Sequence, residues 1–309
     1  MKFAPSSEQR DFARSIRELL AASDVPTVAR VWAAGDAAPG RKLWSRLGEL
    51  GVLELGRADS GAHPVDLVLA FEELGRAAAP GPYVESVAVL PVLLPGSDSE
   101  QVATLAAPPH VPYACDAVVA DAVYVLDGTS LFSAAAGAER VSVDRTRRLA
   151  EVVVREVVAE DVDAQRAYEL GVLATAAQIA GAGRAVLDRA VEYAKQRSQF
   201  GKPIGSFQAV KHQLADSLVA LELSRPLLFG AALSLADNAP TVARDVSAAK
   251  VACADAAYRA SRASLQVHGA IGYTGEYDLS LWLTKIRALV SAWGTQAEHR
   301  ARVLEAIRR

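Results

Sequence analysis

Residues 197–208 read RSQFGKPIGSFQ, a short segment with glycine and proline between two long stretches rich in alanine and leucine. Those stretches, 164–197 and 206–238, carry apolar residues at helical spacing, and further helical regions continue to the end of the chain. Long helices joined by short connections are typical of an antiparallel bundle. The sequence therefore predicts a C-terminal helical bundle over residues 161–309.

The chain before the bundle divides into a helical part and a β-rich part. Ser6 and Gln9 have the spacing of a capping box, and the apolar residues that follow keep helical periodicity, so residues 1–98 are predicted to be a helical domain. Between residues 99 and 160 the apolar residues are clustered and β-branched, and Asp127-Gly128 is a hairpin signal. The predicted fold is mainly α, with a reduced central β domain.

Composition and charge exclude several classes of function. The 33 basic and 36 acidic residues leave a net charge of -3, which argues against a nucleic-acid partner. Cys115 and Cys253 are too far apart to suggest a disulfide framework. Charges interrupt every apolar stretch near the N-terminus, and the longest apolar run, 87–94, is short. We therefore expect a cytoplasmic protein without a membrane segment.

Motifs for metal ions and for nucleotide-binding loops are also missing. The five histidines are scattered, and the sequence has neither H-E-x-x-H nor C-x-x-C, so no metal site is expected. The GAG run at 181–183 lies within a helical stretch and follows no strand. It predicts close helix packing rather than a dinucleotide-binding turn.

Two segments carry chemical information, and each has two interpretations. In the first, Arg197 beside Gln199 and Phe200 could bind a pyrophosphate while the ring covers an apolar part of the same ligand. Alternatively, Arg197 complements a helix C-terminus and the glycines only shape the loop. In the second, residues 266–276 read QVHGAIGYTGE, where Gly269 either allows a ligand to approach the backbone or ends a helix.

Together the two segments resemble the signature of the acyl-CoA dehydrogenase family. The family pattern is R-x-Q-F-G-x-P-I-x-x-F-Q followed by Q-x-x-G-G-x-G-Y, and this chain has both in the same order, with one departure in the second. The SSEQR run near the N-terminus, the EELGR run at 72–76 and the order of helical, β and helical parts are similar as well. The resemblance covers nearly the whole chain and implies α,β-dehydrogenation of an acyl-CoA thioester with FAD.

In this family one subunit holds the flavin, and the two signatures of its neighbour reach the ADP half of FAD. The resemblance therefore implies that a set of signature residues contacts an FAD lying mostly in a partner. These residues are Arg197, Gln199, Phe200, Phe207, Gln208, Gln266, Val267, His268, Gly269 and Ala270. Ala270 stands where the family has its second glycine.

The positions that would supply the catalytic base are changed. Dehydrogenation needs a carboxylate to remove the α proton, and the family's E-G-T triplet reads Trp293-Gly294-Thr295 here. The alternative position on the preceding helix aligns with Gly171. Glu169 is two residues away, about 200° around a helix, and is a weak candidate. The family's T-E-P-x-x-G-S-D flavin loop also has no counterpart between residues 100 and 163.

A chain that keeps only its contacts to a neighbour's cofactor resembles the non-catalytic subunit of bacterial α2β2 acyl-CoA dehydrogenases, some of which act in steroid catabolism. The predicted partner is then a catalytic acyl-CoA dehydrogenase subunit that binds most of the acyl-CoA and shares FAD with this chain. One alternative is a self-sufficient homo-oligomer with a relocated base. Another is a scaffold that has lost flavin.

Overall fold

The computed structural model describes residues 4–308. Its N-terminal part is helical: α1 (Ser7–Ala21), α2 (Val25–Ala33), α3 (Ala38–Glu49), α4 (Pro64–Ala77), and α5 (Leu90–Leu93), which continues a π-helical segment at Val84–Val89. The predicted capping box is confirmed, because the Gln9 amide donates to Ser6 Oγ at 3.2 Å and the Ser6 amide donates to Gln9 Oε1 at 3.0 Å.

A single five-stranded sheet follows the N-terminal helices. Its strands are β1 (Ala103–Ala106), β2 (Ala114–Cys115), β3 (Ala122–Asp127), β4 (Ser130–Arg140) and β5 (Leu149–Ala159), in the order β1-β3-β4-β5-β2. Among the strands of residues 4–308 in this sheet, β1 and β3 pair in parallel and the other pairs are antiparallel. The predicted hairpin is confirmed, since Asp127 pairs with Ser130 across a turn in which Gly128 has a φ of 58°.

The C-terminal part is a helical bundle. Its helices are α6 (Ala164–Gln196), α7 (Gln208–Ala236), α8 (Val242–His268), α9 (Leu279–Leu289) and α10 (Gln296–Arg308). A two-residue hairpin, β6 (Ser198–Gln199) and β7 (Lys202–Pro203), connects α6 to α7. Because α7 runs back between them in the chain, α6 and α8 end on the same side of the bundle.

Helix α6 is the centre of the molecule and packs against α4 with almost no space between the backbones. A Cβ atom built on Gly75 would lie 2.0 Å from the Gln178 carbonyl oxygen, and one built on Gly181 would lie 1.9 Å from the Glu72 carbonyl oxygen. Only glycine permits this approach. The GAG run at 181–183 is thus used for helix packing, as its sequence context predicts.

Two bundle helices, α6 and α7, are long and apolar enough to cross a membrane by length and composition. The most apolar part of α6 is 94% buried inside the protein. Its high hydropathy is therefore that of a helix in the protein core. The most apolar part of α7 is 39% buried, and its inner face contributes Leu221, Leu228 and Phe229 to the core. Both are therefore helices of the bundle.

Candidate functional site

The two signature segments meet at one end of the bundle, which we call the motif end (residues 193–208 and 264–273). The Tyr193 ring, in the last turn of α6, stacks on the His268 ring at the end of α8, with a centroid distance of 4.4 Å. Segments separated by about seventy residues in the sequence are thus brought together because α6 and α8 are parallel.

The hairpin that follows α6 presents an aromatic ring to solvent. Phe200 is 91% exposed and has a φ of 53°, and the adjacent Gly201 has a φ of 80°. Positive φ is unfavourable for a bulky residue, so the turn carries backbone strain. Phe200 contacts Phe207 edge to face at 6.2 Å, and Lys202 Nζ lies 4.5 Å from the centre of the Phe207 ring. An exposed aromatic side chain on a strained backbone is typical of a residue that contacts a ligand or a partner.

Arg197 lies at the C-cap of α6 and is exposed. Its backbone is fixed, because its amide donates to the Tyr193 carbonyl and its own carbonyl accepts from Ile204 at 2.8 Å. Within residues 4–308 no carboxylate pairs with its guanidinium. The position suits a cation at a helix C-terminus, and the free guanidinium can also bind an anion. Gln199, which donates to the Ser198 carbonyl, and Gln208 are exposed beside it.

The second signature segment forms the last turn of α8 and the 3-10 turn Gly269–Tyr273. Gln266 and Ala270 are exposed, Val267 is half-buried and His268 is buried. His268 Nδ1 lies 2.8 Å from the Ser264 carbonyl oxygen, which assigns the proton to Nδ1 and leaves Nε2 as an acceptor. Burial lowers the pKa of His268, so the ring is neutral.

The motif end has features that fit the ADP half of a dinucleotide. His268 Nε2 is buried without a hydrogen-bond partner, and a ribose hydroxyl is the type of donor that it lacks. Gly269 has a φ of 65°, and a Cβ built on it would meet nothing within 4 Å, so a ligand can approach its backbone. The motif end therefore combines an exposed guanidinium, an exposed ring and an open glycine with a buried acceptor.

The two positions considered for the catalytic base, Gly171 and Trp293, meet near the other end of α6. We call this region the tryptophan end. Trp293 is buried, with a φ of 58°, and a Cβ built on Gly171 would lie 2.5 Å from its Cε3 atom. Its Nε1 donates to Glu85 Oε1 at 3.2 Å. The indole therefore fills the space that glycine leaves, and neither position offers a proton acceptor.

Glu85 is a buried carboxylate that the sequence analysis missed, because no motif surrounds it. Burial raises its pKa, and the positive charge of Arg147 opposes that shift. The carboxylate lies behind the indole of Trp293 and accepts its N–H. Glu85 therefore satisfies the buried indole and does not face an open cleft.

The loop that carries Trp293 is held by side chains from two helices. His299 Nε2 lies 2.9 Å from the Trp293 carbonyl oxygen, and His299 Nδ1 lies 3.2 Å from Ser247 Oγ. The Tyr168 hydroxyl donates to the same carbonyl at 3.4 Å. Burial, together with the nearby charge of Lys250, lowers the pKa of His299 to about 4. A neutral histidine thus fixes the left-handed backbone at Trp293.

Glu169 is engaged on a different face of α6 from Gly171. Its buried carboxylate accepts hydrogen bonds from Arg302 of α10 and from Gln165. Burial raises its pKa, and the Arg302 charge opposes the shift. A carboxylate already paired with a guanidinium is a poor general base.

The motif end and the tryptophan end are far apart. Helix α6 is continuous from Gly171 to its C-terminus, a distance of about 38 Å. That is longer than an extended dinucleotide, so one FAD cannot contact both ends of a single chain. At the tryptophan end the indole occupies the space beside Gly171, so no further group fits between the two positions considered for the base.

A cavity of about 850 Å³ opens between the loop before α4, α5 and the start of α6. Two carboxylates line it, and both are engaged: Asp59 pairs with Arg57, and Asp163 caps α6 by accepting from the Arg166 amide. Neither carboxylate of this cavity is therefore free to act as a base. Within residues 4–308 no cluster of three or more His, Cys, Asp or Glu side chains is placed to hold a metal ion.

Comparison with known proteins identifies the family. The model of the acyl-CoA dehydrogenase N-terminal domain matches residues 6–107, and that of the C-terminal domain matches residues 163–308. The chain is 32% identical over 302 residues to acyl-CoA dehydrogenase IpdE2 of Mycobacterium tuberculosis (strain ATCC 25618 / H37Rv), with 91% of each chain covered. The chain belongs to the acyl-CoA dehydrogenase family. Residues 108–162, which include most of the sheet, lie between the two matched ranges.

Solved structures show the same fold as this acyl-CoA dehydrogenase family member. A chain of the ChsE4-ChsE5 complex from Mycobacterium tuberculosis superposes with a TM-score of 0.85 at 21% identity, covering 100% of this chain and 99% of that one. The FAD complex of PigA superposes with a TM-score of 0.82 at 17% identity, covering 100% and 99%. The predicted family and fold class are confirmed, and the family is one of flavin-dependent oxidoreductases.

Proposed function

We propose that this chain is the non-catalytic subunit of a flavin-dependent acyl-CoA dehydrogenase and completes the FAD site of a catalytic partner. One observation carries the proposal: Gly171 and Trp293, the two positions that could supply a base, pack against each other, whereas the motif end is exposed. A chain with this arrangement contributes binding groups to a neighbour and no proton acceptor of its own.

When bound, FAD supplies the hydride acceptor for the α,β-dehydrogenation of an acyl-CoA thioester. At the motif end, Arg197 would bind the pyrophosphate, and Phe200 would cover an apolar part of the cofactor. His268 Nε2 would accept a hydrogen bond from a ribose hydroxyl, with Gly269 allowing close approach. The remaining signature residues, Gln199, Phe207, Gln208, Gln266, Val267 and Ala270, border this surface.

The partner subunit would provide the flavin cradle and the base, and it would bind most of the acyl-CoA. Similarity to a chain from a complex of two differently named proteins, ChsE4 and ChsE5, supports a heteromeric assembly. The α2β2 stoichiometry and a bulky acyl group from steroid or lipid catabolism are part of the proposal. So is the division into domains 1–98, 99–160 and 161–309, with the assembly in the cytoplasm.

Native mass spectrometry tests the assembly directly. The chain is expressed alone and together with an acyl-CoA dehydrogenase encoded beside its gene, and both mass and bound FAD are recorded. The proposal predicts two copies of each chain and two FAD. A homo-oligomer of this chain with one FAD per chain, reduced by an acyl-CoA, would instead establish a self-sufficient enzyme with a relocated base.

The substitution Arg197→Ala tests the contact with the cofactor. Loss of a charge-assisted contact to a pyrophosphate should weaken FAD retention in the assembled complex by about tenfold or more. Retention is measured as FAD per complex after gel filtration, with Arg14→Ala on the exposed face of α1 as the matched control. Unchanged retention in an intact complex would favour a scaffold that has lost flavin.

A further inference from the structure

The outer edge of β5 has no neighbouring strand over most of its length. Along one side β5 pairs with β4, and on the other side β2 pairs only with Leu149 and Ala150. From residue 151 to residue 159 the outer N–H and C=O groups therefore face no strand within the described chain. An unpaired edge of this length is a template for another chain.

The same part of β5 exposes valines on both faces. Val153, Val154, Val157 and Val158 are between 39 and 58% exposed. Successive side chains of a strand point to opposite faces, so the apolar surface wraps around the edge. An apolar patch on an unpaired edge is characteristic of a surface that another protein covers. We call residues 153–158 of β5 the valine edge.

The charges around the valine edge are mainly acidic. Three exposed carboxylates lie in this part of β5 or directly after it, and Arg155 is the base within it; the carboxylates belong to Glu156, Glu160 and Asp161. The hairpin at the motif end is positively charged, because Arg197 and Lys202 are exposed and no carboxylate of residues 4–308 pairs with them. Surfaces of opposite charge are suited to meet in an interface.

Symmetry relates the valine edge to the hairpin at the motif end. If two chains of the same fold pair about a two-fold or pseudo-two-fold axis, each contact occurs twice with the roles exchanged. When the motif end of this chain reaches the β segment of its partner, the motif hairpin of the partner must reach the β segment of this chain. The partner's hairpin would begin with the signature arginine, which matches the acidic surroundings of the valine edge.

We propose that the valine edge is the docking surface for the catalytic partner's R-x-Q-F-G-x-P-I hairpin. Without a partner of the same fold no such hairpin exists, so this surface rests on the proposed function. The hairpin backbone pairs with the free edge of β5, its apolar side chains cover Val153 and Val157, and its arginine meets Glu156 or Glu160.

Photo-crosslinking within the assembled complex identifies the occupant. A benzophenone amino acid replaces Val157, the complex with the co-expressed acyl-CoA dehydrogenase is irradiated, and crosslinked peptides are sequenced by mass spectrometry. A crosslink to the partner's R-x-Q-F-G-x-P-I peptide is expected, and the same probe at Arg14 should give none. A crosslink to residues 197–208 of a second copy of this chain, or none in an intact complex, overturns the assignment.

A charge substitution measures the contribution of the surface. Val157→Glu should weaken association with the partner by about tenfold or more, without lowering the melting temperature, because Val157 is half-exposed. Val141→Glu is the matched control, since Val141 is fully exposed at the other end of the ribbon formed by β4 and β5. Equal affinity of both variants contradicts the docking surface. If Arg197→Ala still lowers FAD retention in that case, the proposed function survives and only the docking surface fails.

Discussion

The two ends of helix α6 differ in what they leave open. At the motif end, Arg197 and Phe200 are exposed, no carboxylate of residues 4–308 pairs with Arg197, and His268 keeps an unused acceptor. At the tryptophan end, Trp293 fills the space beside Gly171, and its indole N–H and carbonyl are both hydrogen-bonded. One helix thus joins an exposed surface to a closed core.

The difference shows that the interior space beside Gly171 is filled by a side chain rather than left vacant. An apolar cavity costs stability in proportion to its volume, about 24 cal/mol per Å³, so an unused pocket is a liability once no ligand enters it. An indole at position 293 and a glycine at position 171 have complementary sizes. The surface half of a site carries no such cost, because water occupies it.

The largest effect is expected from removing the indole. Trp293→Ala should lower the free energy of unfolding by about 3–5 kcal/mol, because it leaves a cavity and an unpaired Glu85 carboxylate. Urea unfolding checks this, and Tyr273→Ala at the motif end is the control, since that ring is exposed. A loss below 1 kcal/mol would show that the tryptophan end is loosely packed.

The related substitution Trp293→Glu tests whether a carboxylate at the tryptophan end supports dehydrogenation of an acyl-CoA. The isolated chain should show no acyl-CoA-dependent flavin reduction, because a carboxylate at this position still has no flavin cradle beside it. The assay follows flavin absorbance after addition of acyl-CoAs of several sizes. Measurable turnover would mean that the tryptophan end retains a cofactor site.

A smaller effect is expected from adding a single methyl group at the contact. Gly171→Ala places a Cβ 2.5 Å from Trp293 Cε3 and should cost about 1–3 kcal/mol of stability. Gly275→Ala is the control, because a Cβ there meets nothing within 4 Å. In the double variant Gly171→Ala/Trp293→Leu the two losses should be less than additive, since the smaller side chain makes room. Full additivity would contradict direct packing.

The loop that carries Trp293 should respond to acid through His299. The pKa of His299 is about 4 in the folded protein, below its ordinary value of 6.5, because burial disfavours the charged ring. Between these values the unfolded chain binds the proton and the folded chain does not, so this contribution to stability is lost as pH falls from 6.5 towards 4. The His299→Gln variant should show a shallower decrease in melting temperature over that range, and parallel curves would contradict the assignment.

The smallest effect on stability is expected at the exposed ring of the motif end. Phe200→Ala should change the free energy of unfolding by no more than about 0.5 kcal/mol, because the side chain is 91% exposed. The affinity of the Phe200→Ala variant for the proposed catalytic partner, or the FAD retention of the complex, should nevertheless decrease. A large loss of stability would indicate that Phe200 serves this chain's own core, and the contrast between the two ends would then disappear.

Much of the architecture could be predicted from local patterns. Helical periodicity and the capping box at Ser6 predicted the N-terminal helices and the bundle, and β-branched clustering with Asp127-Gly128 predicted the hairpin and its sheet. Such signals are short-range, because a cap or a two-residue turn depends on a few neighbouring side chains. The family signature is likewise contained in two continuous segments.

The contacts at the tryptophan end could not be predicted in this way. Glu85, Trp293 and Gly171 come from three separate regions of the chain, and no motif surrounds Glu85. Equally, nothing in the spacing of Glu169 shows that Arg302 pairs with it. Side chains of this kind meet only after the π-helical segment before α5, α6 and α10 have packed.

The sequence by itself determined which residues are missing: a carboxylate at positions 171 and 293, and a flavin loop before α6. It also determined which signature residues remain. Tertiary structure decided what replaced the missing groups, placing an indole against a glycine and the signatures about 38 Å away along α6. The physical reason is that residue identity is local, whereas filling a volume depends on every chain segment that borders it.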